Sequence, residues 1–112
     1  MLAMLMGVKN ISPADLHARL RSAPPTVIDL NASQSWRTAR VPGAISLGVD
    51  FAPSELPPDR EASLVFYCSN PLCSKAPRAA RRAGKLGYTD VRVMSAGITG
   101  WLAAALPVDS GA

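Results

Sequence analysis

Apolar positions along this chain fall into two rhythms. Leu16 and Leu20 repeat at helical spacing, as do Ala76, Ala79, Ala80, Ala83 and Leu86, with Lys75, Arg78, Arg82 and Lys85 on the opposite side. Around them lie short apolar runs: Thr26-Val27-Ile28-Asp29-Leu30, Ala44-Ile45-Ser46-Leu47, Leu64-Val65-Phe66-Tyr67 and Val91-Arg92-Val93-Met94. Runs this short, with β-branched and aromatic residues, read as strands covered on both faces. Ser12 caps a helix that Pro13 can open and whose positive end Asp15 suits. Pro24-Pro25 stops it. A short helix is predicted over 33–40, ended by the Pro42-Gly43 turn, and three prolines make 53–59 a connection with one helical turn at most. The long amphipathic helix is predicted over 74–86, with Gly87 ending it in the left-handed conformation. A last helix is predicted over 97–105. Strands alternating with helices predict an α/β domain built on a central, mainly parallel sheet flanked by helices.

The chain has 112 residues, enough for one domain, which we place over 8–108 with a flexible N-terminal tail over 1–7 and a C-terminal tail over 109–112. Its 48% apolar and 18% charged residues exclude a disordered chain, a collagen-like repeat or a coiled coil. Lys and Arg exceed Asp and Glu by 12 to 8, a formal +4 that suits small anions or acidic surfaces without indicating nucleic acid. Two Trp, two Tyr and two Phe make no base-stacking platform. Cys68 and Cys73 are the two cysteines, which is too few for a secreted disulfide scaffold, so a reducing cytoplasm is expected. No apolar run reaches the ~20 residues that cross a bilayer. The apolar Met1-Leu2-Ala3-Met4-Leu5-Met6 lacks a basic leader and is not read as a signal peptide.

The informative segment is Phe66-Tyr67-Cys68-Ser69-Asn70-Pro71-Leu72-Cys73-Ser74-Lys75-Ala76-Pro77. Proline is tolerated only in the first turn of a helix, so Pro77 keeps the helix from starting much before Ser74. Cys68 then stands at the carboxyl end of a strand, where α/β sheets place their sites. Ser69, Asn70, Pro71, Leu72, Cys73, Ser74 and Lys75 form a candidate anion-binding loop, whose free amides and following helix dipole favour negative charge. On that basis Cys68 is expected to titrate below the ordinary thiol value of ~8.5. A thiolate in such a cradle can attack sulfane sulfur and carry it as a persulfide. The same cradle suits sulfur, phosphate or arsenate oxyanions, so spacing alone leaves the substrate open. A strand-end cysteine can also be simply a small buried hydrophobe. Cys73 reads as a resolving thiol, a second sulfur acceptor or a bystander. Two thiols and a distant His17 fall short of a zinc set, so no metal or cofactor is expected.

At these residues the chain resembles the rhodanese-like sulfurtransferase family, from about Val8 to Val108. Val27-Ile28-Asp29-Leu30-Asn31 is similar to the family's first core strand with its acidic residue. Arg40-Val41-Pro42-Gly43-Ala44-Ile45 is similar to its His-Ile-Pro-Gly-Ala segment. The stretch from Leu86-Gly87-Tyr88 to Ser95-Ala96-Gly97-Ile98-Thr99-Gly100-Trp101 is similar to its closing strand and Gly-Gly-x-x-x-Trp signature. The resemblance implies a three-layer α/β fold in which Cys68 is the persulfide-forming cysteine. Asp29 would hold neighbouring loops, Arg40 stands where the family usually has His and could supply some charge in support, and Trp101 would be a packing residue. Two departures stand out. Common single-domain members carry Arg where this chain has Cys73, and the phosphatase and arsenate-reductase relatives carry Arg where it has Ser74. Losing the guanidinium fork removes bidentate oxyanion capture.

The expected activity is therefore transfer of sulfane sulfur, from a donor such as thiosulfate or a persulfide, through Cys68 to a small thiol, cyanide or a protein cysteine. The alternatives are a non-catalytic binding or regulatory module and a thiol redox protein cycling Cys68 with Cys73. Neither nucleic acid nor membrane is an expected partner, and a monomer or weak dimer is expected.

Overall fold

The computed structural model describes residues 8–112, so the tail expected over 1–7 lies outside the described residues. Five parallel strands form one sheet: β1 (Lys9–Asn10), β2 (Thr26–Asp29), β3 (Ile45–Ser46), β4 (Ser63–Tyr67) and β5 (Asp90–Val93), in the order β1-β5-β4-β2-β3. Among the described residues, four α-helices accompany them: α1 (Pro13–Leu20), α2 (Ser33–Thr38), α3 (Lys75–Lys85) and α4 (Gly97–Ala103), with a 3₁₀ turn at Pro53–Glu55.

Alternation along the central strands explains why their sequences are apolar throughout. Val27, Val65 and Tyr67 face one side and pack with Leu16 of α1 and Trp101 of α4. Ile28, Leu64 and Phe66 face the other and pack against Ala76, Ala79, Ala80 and Ala83 of α3. The result is three layers, helix–sheet–helix. Alanines on the inner face of α3 let that helix lie close to the sheet while its cations stay outside. Ser12 accepts a hydrogen bond from the Asp15 amide at 3.1 Å, as its capping role requires. Gly87 ends α3 at φ +104°, a region L side chains rarely enter.

The elements differ from the sequence expectation mainly at the sheet's rim. β1 carries no apolar signal because both its residues are exposed; pairing with Arg92 and Val93 alone makes it a strand. The run at 44–47 shortens to the exposed pair Ile45–Ser46, held by one neighbour, β2. Helix α2 stops at Thr38 because Arg40 pairs antiparallel with Asp109, exchanging amide and carbonyl at 3.0 Å in both directions. Gly43 N–H also donates to the Asp109 carboxylate at 3.0 Å, and Gly111 N–H to the Arg37 carbonyl at 2.8 Å. Asp109 and Gly111, in the stretch 109–112 expected as a tail, thus bond to the domain.

Topology fixes where a site can open. From β2 the chain continues outward to β3, whereas from β4 it continues to β5 on the other side. The two adjacent strands send their connections in opposite directions, and a crevice forms at their carboxyl ends. Those ends are Asp29 and Tyr67-Cys68.

Candidate active site

Asp29 is completely buried. The Tyr67 hydroxyl donates to its Oδ2 at 2.5 Å, the Asn31 amide donates to Oδ1 at 2.7 Å, and the Val41 amide donates to the Tyr67 hydroxyl at 3.1 Å. Burial raises the Asp29 pKa above its ordinary value, against the pull of the Tyr67 and Asn31 hydrogen bonds and the Arg40 charge. Burial and the adjacent carboxyl likewise push the Tyr67 hydroxyl up. Asp29 therefore clamps the loop after β2 and, through Tyr67, the turn that begins at Val41. Arg40 lays its guanidinium 3.9 Å from the ring centre of Trp36 and donates to the Trp36 and Gly111 carbonyls at 3.2 and 2.7 Å. Its charge is felt at Asp29, while its hydrogen bonds serve the rim.

Cys68 leaves β4 only 3% exposed, among the core residues Ile28, Phe66 and Ala76. Its Sγ lies 3.8 Å from the Cys73 carbonyl oxygen. The loop closes on itself: the Leu72 amide donates to the Asn70 side-chain oxygen at 2.9 Å, and the Cys73 amide to the Asn70 carbonyl at 3.1 Å. Leu72 at its tip is 88% exposed. Ser74, Lys75, Asn70 and Pro71 are exposed, whereas Ser69 and Cys73 are half-buried. The expected loop residues are thus brought together, with Cys68 inside and Cys73 on the rim.

A second set of residues, missed as functional from the sequence, holds the loop from the far side. The first amides of α4 donate to it, Ile98 to the Cys68 carbonyl at 3.0 Å and Thr99 to the Ser69 carbonyl at 3.1 Å. Gly97, at φ +66°, sits so near that an added Cβ would lie 2.6 Å from the Ser69 carbonyl. Before it, the Ser95 amide and hydroxyl donate to the Asn10 side-chain oxygen at 2.9 and 2.7 Å, tying the loop's support to β1. The signal was present in the Ser95-Ala96-Gly97 stretch, but its contact with residue 69 is purely tertiary.

The electrostatics reverse the expectation for Cys68. Backbone amides of Ala76 and Ser69 do favour its thiolate, yet burial outweighs them and the Cys73 sulfur opposes them, so the thiol is pushed up to about 12. The expected lowering is corrected: a half-charge of helix dipole does not compensate a thiolate withdrawn from water. Cys73 is partly buried, which raises its pKa. Hydrogen bonds from the Cys68 thiol and from the amides of Lys75 and Ser69 more than offset this and bring it below the ordinary thiol value. Of the pair, Cys73 loses its proton first.

Two cavities flank the loop. One, of about 10 Å³, is lined by Cys68, Cys73, Pro71, Pro77 and Ser95 among others. The other, of about 340 Å³, opens between the ends of β2 and β3 and is walled by Asn31, Ser33, Ser46 and Lys75, but by neither cysteine. The chemistry therefore sits beside the smaller space. The Lys75 ammonium forms no ion pair among the described residues. No group of three or more His, Cys, Asp or Glu that could hold a metal occurs among the described residues, and His17 rests edge-on against Trp101 instead. No described helix is long and apolar enough to cross a membrane.

The site is thus a strand-end cysteine on a parallel α/β sheet, held in a loop backed by a helix N-terminus. The chain belongs to the Rhodanese-like domain family, whose model matches residues 12–104. It is 33% identical over 105 residues to an HTH-type transcriptional regulator of Mycobacterium tuberculosis, a match covering 91% of this chain and 45% of the regulator. This chain thus spans less than half the length of that relative. Among solved structures, it superposes on a thiosulfate sulfurtransferase from Pseudomonas aeruginosa with TM-score 0.80 and 22% identity, covering 93% of this chain and 20% of that one. A human single-domain sulfurtransferase superposes with TM-score 0.72 and 23% identity, covering 87% and 97%. At these identities the two structures share the fold.

Proposed function

We propose that this domain is a sulfurtransferase that carries sulfane sulfur as a persulfide on Cys68, passing it from a persulfide or thiosulfate donor to a thiol, cyanide or protein-cysteine acceptor. The observation that carries the reading is Cys68 at the end of β4, at the point where the sheet's connections diverge and beside the loop that leads into α3. Amides fixed in place before reaction stabilise the charge that develops on sulfur without reorganising. Because Cys73 and Ser74 stand where relatives place Arg, a thiosulfate dianion meets no guanidinium fork, and Lys75 supplies the nearest cation in the loop. A persulfide donor makes less demand on such a fork.

Treatment with glutathione persulfide or thiosulfate, followed by mass spectrometry, tests the reading. One added sulfur is expected on Cys68 and lost on adding cyanide; a protein that takes up no sulfur on either cysteine rules it out. The 3% exposure of Cys68 favours a second reading, a regulatory module that binds without turnover. That reading predicts no uptake under any donor.

A further inference from the structure

We propose that Cys73 is the thiol that meets the sulfur donor, and that it hands the sulfane sulfur to Cys68 across the space they share. This inference rests on the sulfur-transfer reading above. Three observations carry it. Cys68 is 3% exposed and Cys73 is half-buried at the rim, so a donor approaching from solvent reaches Cys73 first. The cavity that both cysteines line measures about 10 Å³. That is a small fraction of the neighbouring open pocket of about 340 Å³, so the shared space suits a single transferred sulfur atom better than a whole thiosulfate or glutathione persulfide. Finally, the open pocket of about 340 Å³, large enough for a donor, has neither cysteine in its wall but ends at Lys75, which lies two residues from Cys73 and seven from Cys68.

The chemistry balances without an external oxidant. The Cys73 thiolate attacks the outer sulfur of a persulfide R–S–SH; a new S–S bond forms on Cys73, the donor's S–S bond breaks, and R–S⁻ leaves and takes a proton from water. The Cys68 sulfur then attacks the outer sulfur of Cys73–S–SH. That bond forms as the Cys73 S–S bond breaks, and the Cys68 proton ends on the departing Cys73 sulfur. Cys68–SH and Cys73–S–SH become Cys68–S–SH and Cys73–SH. Only one sulfur atom has to enter the interior. Attack at the inner sulfur would instead give a Cys68–Cys73 disulfide and release hydrosulfide.

The test loads wild type, Cys73→Ser, Cys73→Ala and Cys68→Ser with glutathione persulfide and maps the added sulfur by tryptic mass spectrometry over time. Circular dichroism checks that each variant is folded. The relay expects sulfur on Cys73 before Cys68 in wild type and stable loading of Cys73 at the wild-type rate in Cys68→Ser. It also expects loading of Cys68 slowed at least tenfold in both Cys73 variants. Wild-type loading of Cys68 in either folded Cys73 variant overturns the relay and leaves Cys68 transfer standing. A Cys68–Cys73 disulfide with hydrosulfide release as the main product also overturns it. Absence of sulfur from both cysteines of wild type overturns the relay and the transfer reading together.

Discussion

Gly97 and the carbonyl of Ser69 touch so closely that no side chain fits between them: a Cβ built on Gly97 lies 2.6 Å from the Ser69 carbonyl carbon and oxygen. The glycine also holds φ +66°, so backbone conformation and contact both demand it. Through this contact the start of α4 presses the cysteine loop into place, with the Ile98 and Thr99 amides bonded to the Cys68 and Ser69 carbonyls.

Gly97→Ala is therefore expected to destabilise the domain by about 1–3 kcal/mol, the range for strained backbone forced on a non-glycine residue. The same change should loosen the loop and speed alkylation of Cys68. Thermal denaturation and iodoacetamide labelling measure the two effects, and an unchanged melting temperature with unchanged labelling would contradict the contact's role.

Tyr67→Phe removes the hydroxyl that joins Asp29 to Val41 and leaves a buried carboxyl oxygen and a buried amide without that partner. A loss of about 1–3 kcal/mol is expected, the usual cost of an unsatisfied buried group. Chemical denaturation of wild type and variant gives the difference.

The raised pKa of Asp29 has a pH consequence whose sign follows from proton linkage. Above the unfolded value of 3.8 the folded state holds this proton more tightly than the unfolded one, so the Asp29 contribution to stability declines as pH rises through the folded pKa. Asp90 works oppositely: its hydrogen bond from Ser63 leads the causes that lower its pKa, so its contribution is lost as pH falls through that lowered value. Asp29→Asn should abolish the first trend. Melting temperatures of wild type and Asp29→Asn between pH 4 and 7 will check this, and parallel profiles would contradict it.

Cys73 owes part of its lowered pKa to the hydrogen bond from Cys68. In Cys68→Ala that donor is gone, and the pH at which Cys73 is half-alkylated should rise. Iodoacetamide rates against pH provide the comparison; a midpoint that stays put would show that the Lys75 and Ser69 amides suffice.

Lys75→Gln should slow uptake from thiosulfate by roughly three- to tenfold at low ionic strength, with the difference narrowing in high salt, as expected for a screened charge that steers an anion. Stopped-time mass spectrometry at two salt concentrations resolves this. Equal rates at both would remove Lys75 from donor capture.

The sequence by itself determined the α/β class, the central strands and the place of Cys68. Those features follow from local rules: continuous apolar runs for doubly covered strands, alanines at helical spacing on α3, and Pro77 limiting where that helix can start. Asp29 was also legible as a loop-holding acid and Trp101 as a core residue, since both lie in local motifs. The edge strand β1, the pairing of Arg40 with Asp109 and the contact of Gly97 with Ser69 were not, because each joins residues far apart in sequence and leaves no periodic trace. Only the tertiary structure decided which cysteine ionises first. The helix dipole that favours a thiolate is a local property readable from spacing, but the desolvation that opposes it depends on how much of the folded protein surrounds each sulfur, and that differs between the interior Cys68 and the rim Cys73.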